Sequence, residues 1–182
     1  MKKASSKHVA LLRGINVGGK NILPMKELAS IFSKAGCADV KTYIQSGNVV
    51  FSADDKVAAG LGAMISTQVE ARFGLRVPVV LRTVAEIEAV VRANPFLKAG
   101  AGEERLHVCF LADLPGRDSV AGLDAGRSTP DVFAVVGREI YMQLVNGVAG
   151  TKLTNAYFDS KLKTVSTIRN WRTVLKLAEM LA

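Results

Sequence analysis

The chain has few of the residues that build metal and redox sites: two cysteines and two histidines among 182 residues. Cys37 and Cys109 lie far apart in apolar surroundings, and neither has a partner at metal-ligand or redox spacing. A structural zinc site takes about four cysteine or histidine ligands, so these counts predict neither a metal site nor a cofactor. We expect both cysteines to be small hydrophobic residues of the core.

Long hydrophobic runs are also missing. After the basic segment MKKASSK (residues 1–7), only residues 9–12 are continuously apolar before Arg13. That run is too short for the core of a signal peptide, and no other run approaches the length of a membrane span. The hydrophobic content of 49% suits a compact core, and ordinary proline and glycine usage argues against disorder. We expect a soluble, cytoplasmic protein with no membrane partner.

Acidic residues are absent from the first part of the chain, because none precedes Glu27. The net charge is +8, and basic residues collect toward both ends. If the two ends meet, they form one basic face that attracts phosphates or nucleic acid; a basic surface can equally serve solubility alone. The residues concerned are Lys2, Lys3, Lys7, Arg13, Lys20, Lys26, Lys161, Lys163, Arg169, Arg172 and Lys176.

The first half predicts alternating strands and helices. Strands are expected at residues 8–12, 40–45, 49–51 and 76–82, on the basis of β-rich runs bounded by turn residues. Helical spacing of apolar residues follows Pro24, and again follows a predicted helix start at Ser52 and Asp55. A capping box at Thr83 begins one more helix. This βαββαβ order is that of a ferredoxin-like fold.

The second half begins after a segment rich in proline, glycine and charge at residues 94–104, which predicts a linker. Residues 107–111 resemble residues 8–12 in type, and residues 131–136 and 139–144 predict a hairpin around Gly137. Helices are expected near residues 154–162 and from about Asn170 onward. We therefore predict an α+β protein with a ferredoxin-like subdomain at 1–93, a linker at 94–104, and a second, partial βαββ subdomain with C-terminal helices at 105–182.

Four motifs carry a family resemblance: LLRGINVGG (residues 11–19), TYIQSGNVVF (42–51), NPF (94–96) and TIRNW (167–171). In this order they resemble the uncharacterised bacterial family DUF1697. The resemblance implies a small α+β protein built from ferredoxin-like elements, and it implies no established activity, substrate or cofactor. The family's hallmark positions correspond to Arg13, Gly14, Asn16, Gly18, Gly19, Ser46, Gly47, Asn48, Arg169, Asn170 and Trp171.

The glycine-rich loop after the first strand is the strongest functional lead. Its spelling G-x-x-x-x-G-K resembles a P-loop, but Asn21 stands where the Mg²⁺-binding hydroxyl is required. Pro24 also places the next helix too late to cap phosphates. Backbone N–H groups in such a loop, with the planar fork of Arg13, can still hold a phosphate. The alternative is that the glycines supply only positive φ and Asn16 caps its own loop.

The remaining candidates are polar residues near turns. Ser46 lacks a base, because His8 and His107 lie in predicted strands with no acid placed to orient them. Arg169 precedes a helix N-terminus, where a cation is unfavourable unless an acid or an anion joins it. We expect Arg169 to pair with an acid or to face the same anion as Arg13, and we expect Asn170 to cap the helix.

These observations favour binding of a small phosphorylated molecule or a nucleotide. Two alternatives stay open: binding of nucleic acid, RNA in particular, through the basic face, and a structural or interaction protein without a ligand. The sequence does not decide whether the protein is an enzyme. The candidate ligand-binding residues are Arg13, Gly14, Asn16, Gly18, Gly19, Lys20, Ser46, Asn48, Arg169 and Asn170.

Overall fold

A computed structural model of the protein describes residues 5–182, so Lys2 and Lys3 of the predicted basic face lie outside the described residues. It contains two four-stranded antiparallel sheets, which confirms the α+β class. The elements, in chain order, are Ser6–Leu12 (β1), Met25–Lys34 (α1), Ala38–Tyr43 (β2), Asn48–Ala53 (β3), Asp55–Phe73 (α2), Val79–Thr83 (β4), Val84–Ala93 (α3), Pro95–Lys98 (α4), Leu106–Leu111 (β5), Arg117–Ala121 (α5), Val132–Val136 (β6), Glu139–Gln143 (β7), Asn155–Leu162 (α6), Ser166–Asn170 (β8) and Trp171–Leu181 (α7).

Two compact units divide the chain. The first unit comprises residues 5–87 together with Leu177–Ala182, and the second unit comprises Glu88–Lys176. Within the described residues, no helix has the length and apolar character needed to cross a membrane. The subdomain bounds given above stay a prediction.

The first unit has the strand order β2-β3-β1-β4, which is the ferredoxin-like arrangement. β1 is central, as its apolar sequence predicts, and β2 is an edge strand. One face of this sheet packs against α1 and α2, with Leu12, Phe32 and Ile65 fully or almost fully buried in the shared core. Helix α2 begins at Asp54, whose carboxylate accepts from Val57 N–H at 2.9 Å, and ends at Gly74 in a left-handed conformation.

The second unit has the corresponding order β6-β7-β5-β8. Helix α6 and strand β8 follow the partial βαββ unit predicted from sequence, so β5-α5-β6-β7-α6-β8 is again βαββαβ. Its core gathers residues of β5, β7 and α6, with Phe158 fully buried and in edge contact with Phe133. Cys109 is fully buried in this core and Cys37 is buried in that of the first unit.

Two local expectations need correction. Ser52 does not begin helix α2: it is the fifth residue of β3, and its hydroxyl donates to Asp39 Oδ2 at 3.0 Å. Residues 166–170, for which the sequence predicts no strand, pair with β5 as β8, and this strand runs directly into α7 at Trp171. That strand is short and four of its five residues are polar, so it lacks the β-rich run that predicts the other strands.

Candidate functional site

The glycine-rich loop begins at the C-terminal end of β1, which is one of the two inner strands of the first sheet. Leu12 N–H donates to Gly47 O at 2.8 Å, and Arg13 N–H donates to Pro78 O at 3.0 Å. The last residues of β1 are therefore held from both sides, by the β2–β3 turn and by the segment that leads into β4. The direction in which the following loop leaves the sheet is fixed by these two bonds.

Residues 13–22 form a short two-stranded projection, which we call the glycine arm. Asn16 N–H donates to Asn21 O, and Lys20 N–H donates to Val17 O, each at 3.0 Å. Gly18 and Gly19, with φ of 56° and 72°, make a tight turn in which both central residues are left-handed. This is the geometry of a type I′ turn, which favours glycine at both positions. The arm is followed by α1 only at Met25, so it does not form a P-loop.

Asn16 holds the base of the glycine arm. Its side-chain amide donates to Leu23 O and to Gln45 O, both at 2.9 Å, and its side-chain oxygen accepts from Leu23 N–H at 2.8 Å. Both amide hydrogens are thus used within the fold. Asn16 also has a φ of 53°, a conformation that asparagine tolerates better than most residues. These bonds favour the alternative in which Asn16 organises its own loop.

The β2–β3 turn brings Ser46, Gly47 and Asn48 beside the base of the arm. Asn48 is fully buried, and its amide donates to Tyr43 O at 3.1 Å and to Ser46 Oγ at 3.0 Å. Gly47 has a φ of 79°, and a Cβ added there would lie 2.7 Å from Leu12 Cβ. This turn requires its glycine for two independent reasons. The Ser46–Asn48 hydrogen bond stabilises this turn, and the bond from Leu12 N–H to Gly47 O joins the turn to β1.

The outer part of the glycine arm exposes its polar groups. Lys20 is exposed, and Arg13 is half-buried at the end of β1. Within residues 5–182, the backbone N–H groups of Gly18 and Gly19 have no hydrogen-bond partner. Two unpaired N–H groups next to a lysine form a small electropositive surface, which can accept an anion. Val17 and Ile22 flank it with 63% and 61% of their surface exposed.

Arg169 and Asn170 lie in the second unit, on the fourth strand of its sheet. The Arg169 guanidinium is buried, and it donates to Thr167 Oγ1 at 2.8 Å and to Ile168 O at 2.9 Å. Burial lowers the pKa of Arg169 to about 10. Asn170 Oδ1 accepts from Thr173 N–H at 2.8 Å, which is the helix cap expected from sequence. The role of Arg169 beside an anion shared with Arg13 stays a prediction.

A polar cleft in the second unit was missed by sequence reasoning. It has a volume of about 230 Å³ and lies between the α5–β6 and β7–α6 connections, where Arg127, Ser128, Asn146 and Lys152 line it. The signal available in the sequence was the pair of segments GRSTPD (126–131) and NGVAGTK (146–152), which are rich in glycine, hydroxyls and cations.

In the part of the chain that the structure describes, no three histidine, cysteine, aspartate or glutamate side chains come together as a ligand group. Burial lowers the pKa of His107, and the hydrogen bond between its Nδ1 and Arg105 O, at 3.4 Å, acts against that shift without reversing it. Burial also raises the pKa of Cys37 to about 11, which leaves this thiol protonated and unreactive.

Comparison with known proteins identifies a family. The family model "Protein of unknown function (DUF1697)" matches residues 5–141. The chain is also similar to the solved structure of the conserved bacterial protein SP0830 from Streptococcus pneumoniae, with 24% sequence identity, a TM-score of 0.71, and coverage of 98% of this chain and 100% of that one. At this identity the likeness establishes the fold alone. No curated protein matches the chain.

Proposed function

This chain belongs to DUF1697, a family of proteins of unknown function, and we propose that its glycine arm binds a small phosphorylated ligand or a nucleotide. The observation that carries the proposal is the pair of unpaired backbone N–H groups at Gly18 and Gly19, next to the exposed side chain of Lys20. Phosphate oxygens accept such hydrogen bonds readily, and an adjacent cation strengthens them.

The candidate residues divide into two roles under this proposal. Gly18, Gly19, Lys20 and Arg13 contact the anion, with Gly14, left-handed at φ 74°, turning the chain into the arm. A larger group holds the arm in place: Asn16 through Leu23 and Gln45, and Ser46 and Asn48 through the β2–β3 turn. Because the supporting groups are bonded to one another within the fold, ligand binding does not need to order them.

A calorimetric titration tests the proposal directly. The full-length protein is titrated with orthophosphate, with adenosine monophosphate and with adenosine. We expect the two phosphate-bearing compounds to bind and adenosine not to bind. Lys20→Gln removes one exposed charge-assisted contact and should weaken binding roughly threefold to tenfold, that is by about 1 kcal/mol. Lys34→Gln, an exposed lysine at the end of α1, is the matched control and should leave affinity unchanged.

Nucleic acid is the second candidate ligand, and a specific feature favours it. The first unit exposes Lys26 and Lys41 in addition to Lys20, so its cations are not confined to one pocket. Binding to single-stranded RNA that falls steeply with salt, together with no binding of adenosine monophosphate, would replace the small-ligand proposal with this one. No response to either class, with folding intact, would leave a structural or interaction protein. We expect a cytoplasmic location in all three cases.

A further inference from the structure

The cleft of the second unit is built by a buried hydrogen-bond network. Ser128 Oγ donates to Asp131 Oδ2 at 2.8 Å and accepts from Lys152 N–H at 2.9 Å, while Asp131 Oδ1 accepts from Val145 N–H at 2.8 Å. These bonds join the α5–β6 connection to the β7–α6 connection, which are otherwise separate in sequence. The walls of the cleft are therefore fixed before any ligand arrives, which lowers the entropic cost of binding.

Arg127 is held in a defined position at the rim of this cleft. Its guanidinium carbon lies 4.1 Å above the ring of Tyr157, and its Nε donates to Lys152 O at 3.1 Å. The Nη atoms have no partner within residues 5–182. A stacked guanidinium with one edge bonded presents its free edge in a fixed plane, and that fork matches two oxygens of a phosphate.

The charges of the cleft do not cancel. Lys152 Nζ has no hydrogen bond or ion pair to any residue that the structure describes, and Asn146 offers an unbonded side-chain amide beside it. The one acid that lines the cleft, Asp131, is buried and already accepts bonds on both oxygens. Its one negative charge offsets one of the two positive charges of Arg127 and Lys152, so the lining of the cleft keeps a net positive charge.

We propose that this cleft binds the phosphate group of a small phosphate monoester, with Arg127 and Lys152 as its two cationic contacts. A phosphate monoester carries about −1.5 to −2 charges at pH 7, which two cations match better than they match a single carboxylate. The volume of about 230 Å³ is below the roughly 300–1,000 Å³ of pockets for drug-sized ligands, so the rest of the molecule is small. The site goes beyond the glycine arm, with which it shares no residue.

Backbone amide NMR of the full chain locates binding. We expect glycerol 3-phosphate and orthophosphate to shift the amide signals of residues 126–131 and 146–152 saturably, and glycerol to leave them in place. Arg127→Gln and Lys152→Gln should each raise the dissociation constant roughly tenfold, as expected for one charge-assisted contact. The matched controls are Arg117→Gln and Lys161→Gln, exposed cations of the same unit, which should change it less than about twofold.

The result that overturns the proposal is equally specific. Saturable shifts absent from residues 126–152, equal effects of Lys152→Gln and Lys161→Gln, or identical shifts with glycerol would each refute it, provided that amide dispersion shows a folded protein. The proposed function of the glycine arm is tested separately. If the ligands shift the amide signals of the cleft but not those of residues 13–22, only the glycine-arm site is refuted. Lys20→Gln should not change binding at the cleft.

Discussion

The first and second units place the same polar residues at matching points of their sheets, and differ in what joins the strands. His8 and His107 lie near the start of the central strands, paired with Thr83 and Asn170 respectively. In the next pair, Arg82 lies opposite Val9 and Arg169 lies opposite Val108. Each buried arginine donates from Nη1 to the carbonyl oxygen of the preceding residue, at 2.8 Å and 2.9 Å.

The connections between strands diverge strongly. In the first unit the two crossovers are helices α1 and α2, of 10 and 19 residues, and their apolar faces build the core. In the second unit the corresponding helices α5 and α6 have only 5 and 8 residues. Loops take over much of each crossover there, and the Ser128–Asp131 network ties them together. The comparison shows that one sheet topology can be built with long helical crossovers or with short helices whose loops are joined by buried hydrogen bonds.

The largest expected effect falls on the first unit, where close packing allows no added atom. Gly47→Ala combines a left-handed backbone with a contact of 2.7 Å to Leu12 Cβ, and should lower the free energy of unfolding by about 3 kcal/mol or more. Gly74→Ala is the matched control, because its φ of 67° is similar but nothing lies within 4 Å of the added Cβ. It should cost about 1 kcal/mol. Urea unfolding of both variants measures the difference, and equal losses would refute the role of packing.

The stability of the second unit should depend on its buried hydrogen-bond network as well as on its apolar core. Asp131→Ala leaves Ser128 and Val145 N–H without their buried acceptor, and we expect a loss of about 2–3 kcal/mol in urea unfolding. Asp124→Ala removes only the exposed bond to Gly126 N–H and should cost well below ~1 kcal/mol. If both substitutions lower the free energy of unfolding equally, the buried hydrogen bonds of Asp131 do not stabilise this unit.

Asp131 should also make the stability of the protein depend on pH. Burial alone raises the pKa of Asp131, but bonds from Thr151, Ser128, Val145 and Asn146 outweigh it and lower the pKa below its usual 3.8. Since the folded protein holds this proton less tightly than the unfolded chain, the stabilisation is present above pH 3.8 and is lost as the pH falls through the folded value. Asp131→Asn should flatten the acid limb of the stability curve, and an unchanged limb would contradict this assignment.

The smallest effects should come from the matching caps at the ends of β4 and β8. Thr83 and Glu86 form a reciprocal capping box at the start of α3, and Asn170 caps α7 through Thr173 N–H. Thr83→Ala and Asn170→Ala should each cost about 1 kcal/mol in thermal unfolding. Asn170→Ala should leave phosphate affinity unchanged. A clear loss of affinity in the folded variant would return Asn170 to the ligand-binding residues.

Sequence reasoning recovered the fold where periodicity and turn residues were strong. The almost wholly apolar run at residues 8–12 predicts a central strand, and the alternation of Tyr43 with the polar residues Thr42 and Lys41 predicts an edge strand. The structure agrees with both, and with the capping box predicted at Thr83. Strand β8 was missed because Ser166 and Thr167 are buried through hydrogen bonds and pairing with β5, which local propensity does not reveal.

The candidate site was less accessible to sequence reasoning. The glycine arm stands out because glycine and asparagine cluster there, yet the same composition cannot tell a ligand contact from a loop that bonds to itself. Asn16 illustrates the limit, since its partner Gln45 is 29 positions away. The cleft around Ser128 and Lys152 needs two segments to meet, and no spacing within either segment predicts that meeting.

The first unit is built from two segments that lie far apart in the sequence, and this affects how the chain folds during synthesis. Its last six residues, Leu177–Ala182, belong to the unit that begins the chain, and Lys7 Nζ donates to Leu181 O across 174 positions. Residues 5–87 are therefore synthesised well before residues 177–182, which complete the first unit. We expect the first unit to complete its folding only after residues 177–182 have been synthesised, and a single cut between residues 88 and 176 would leave this unit incomplete.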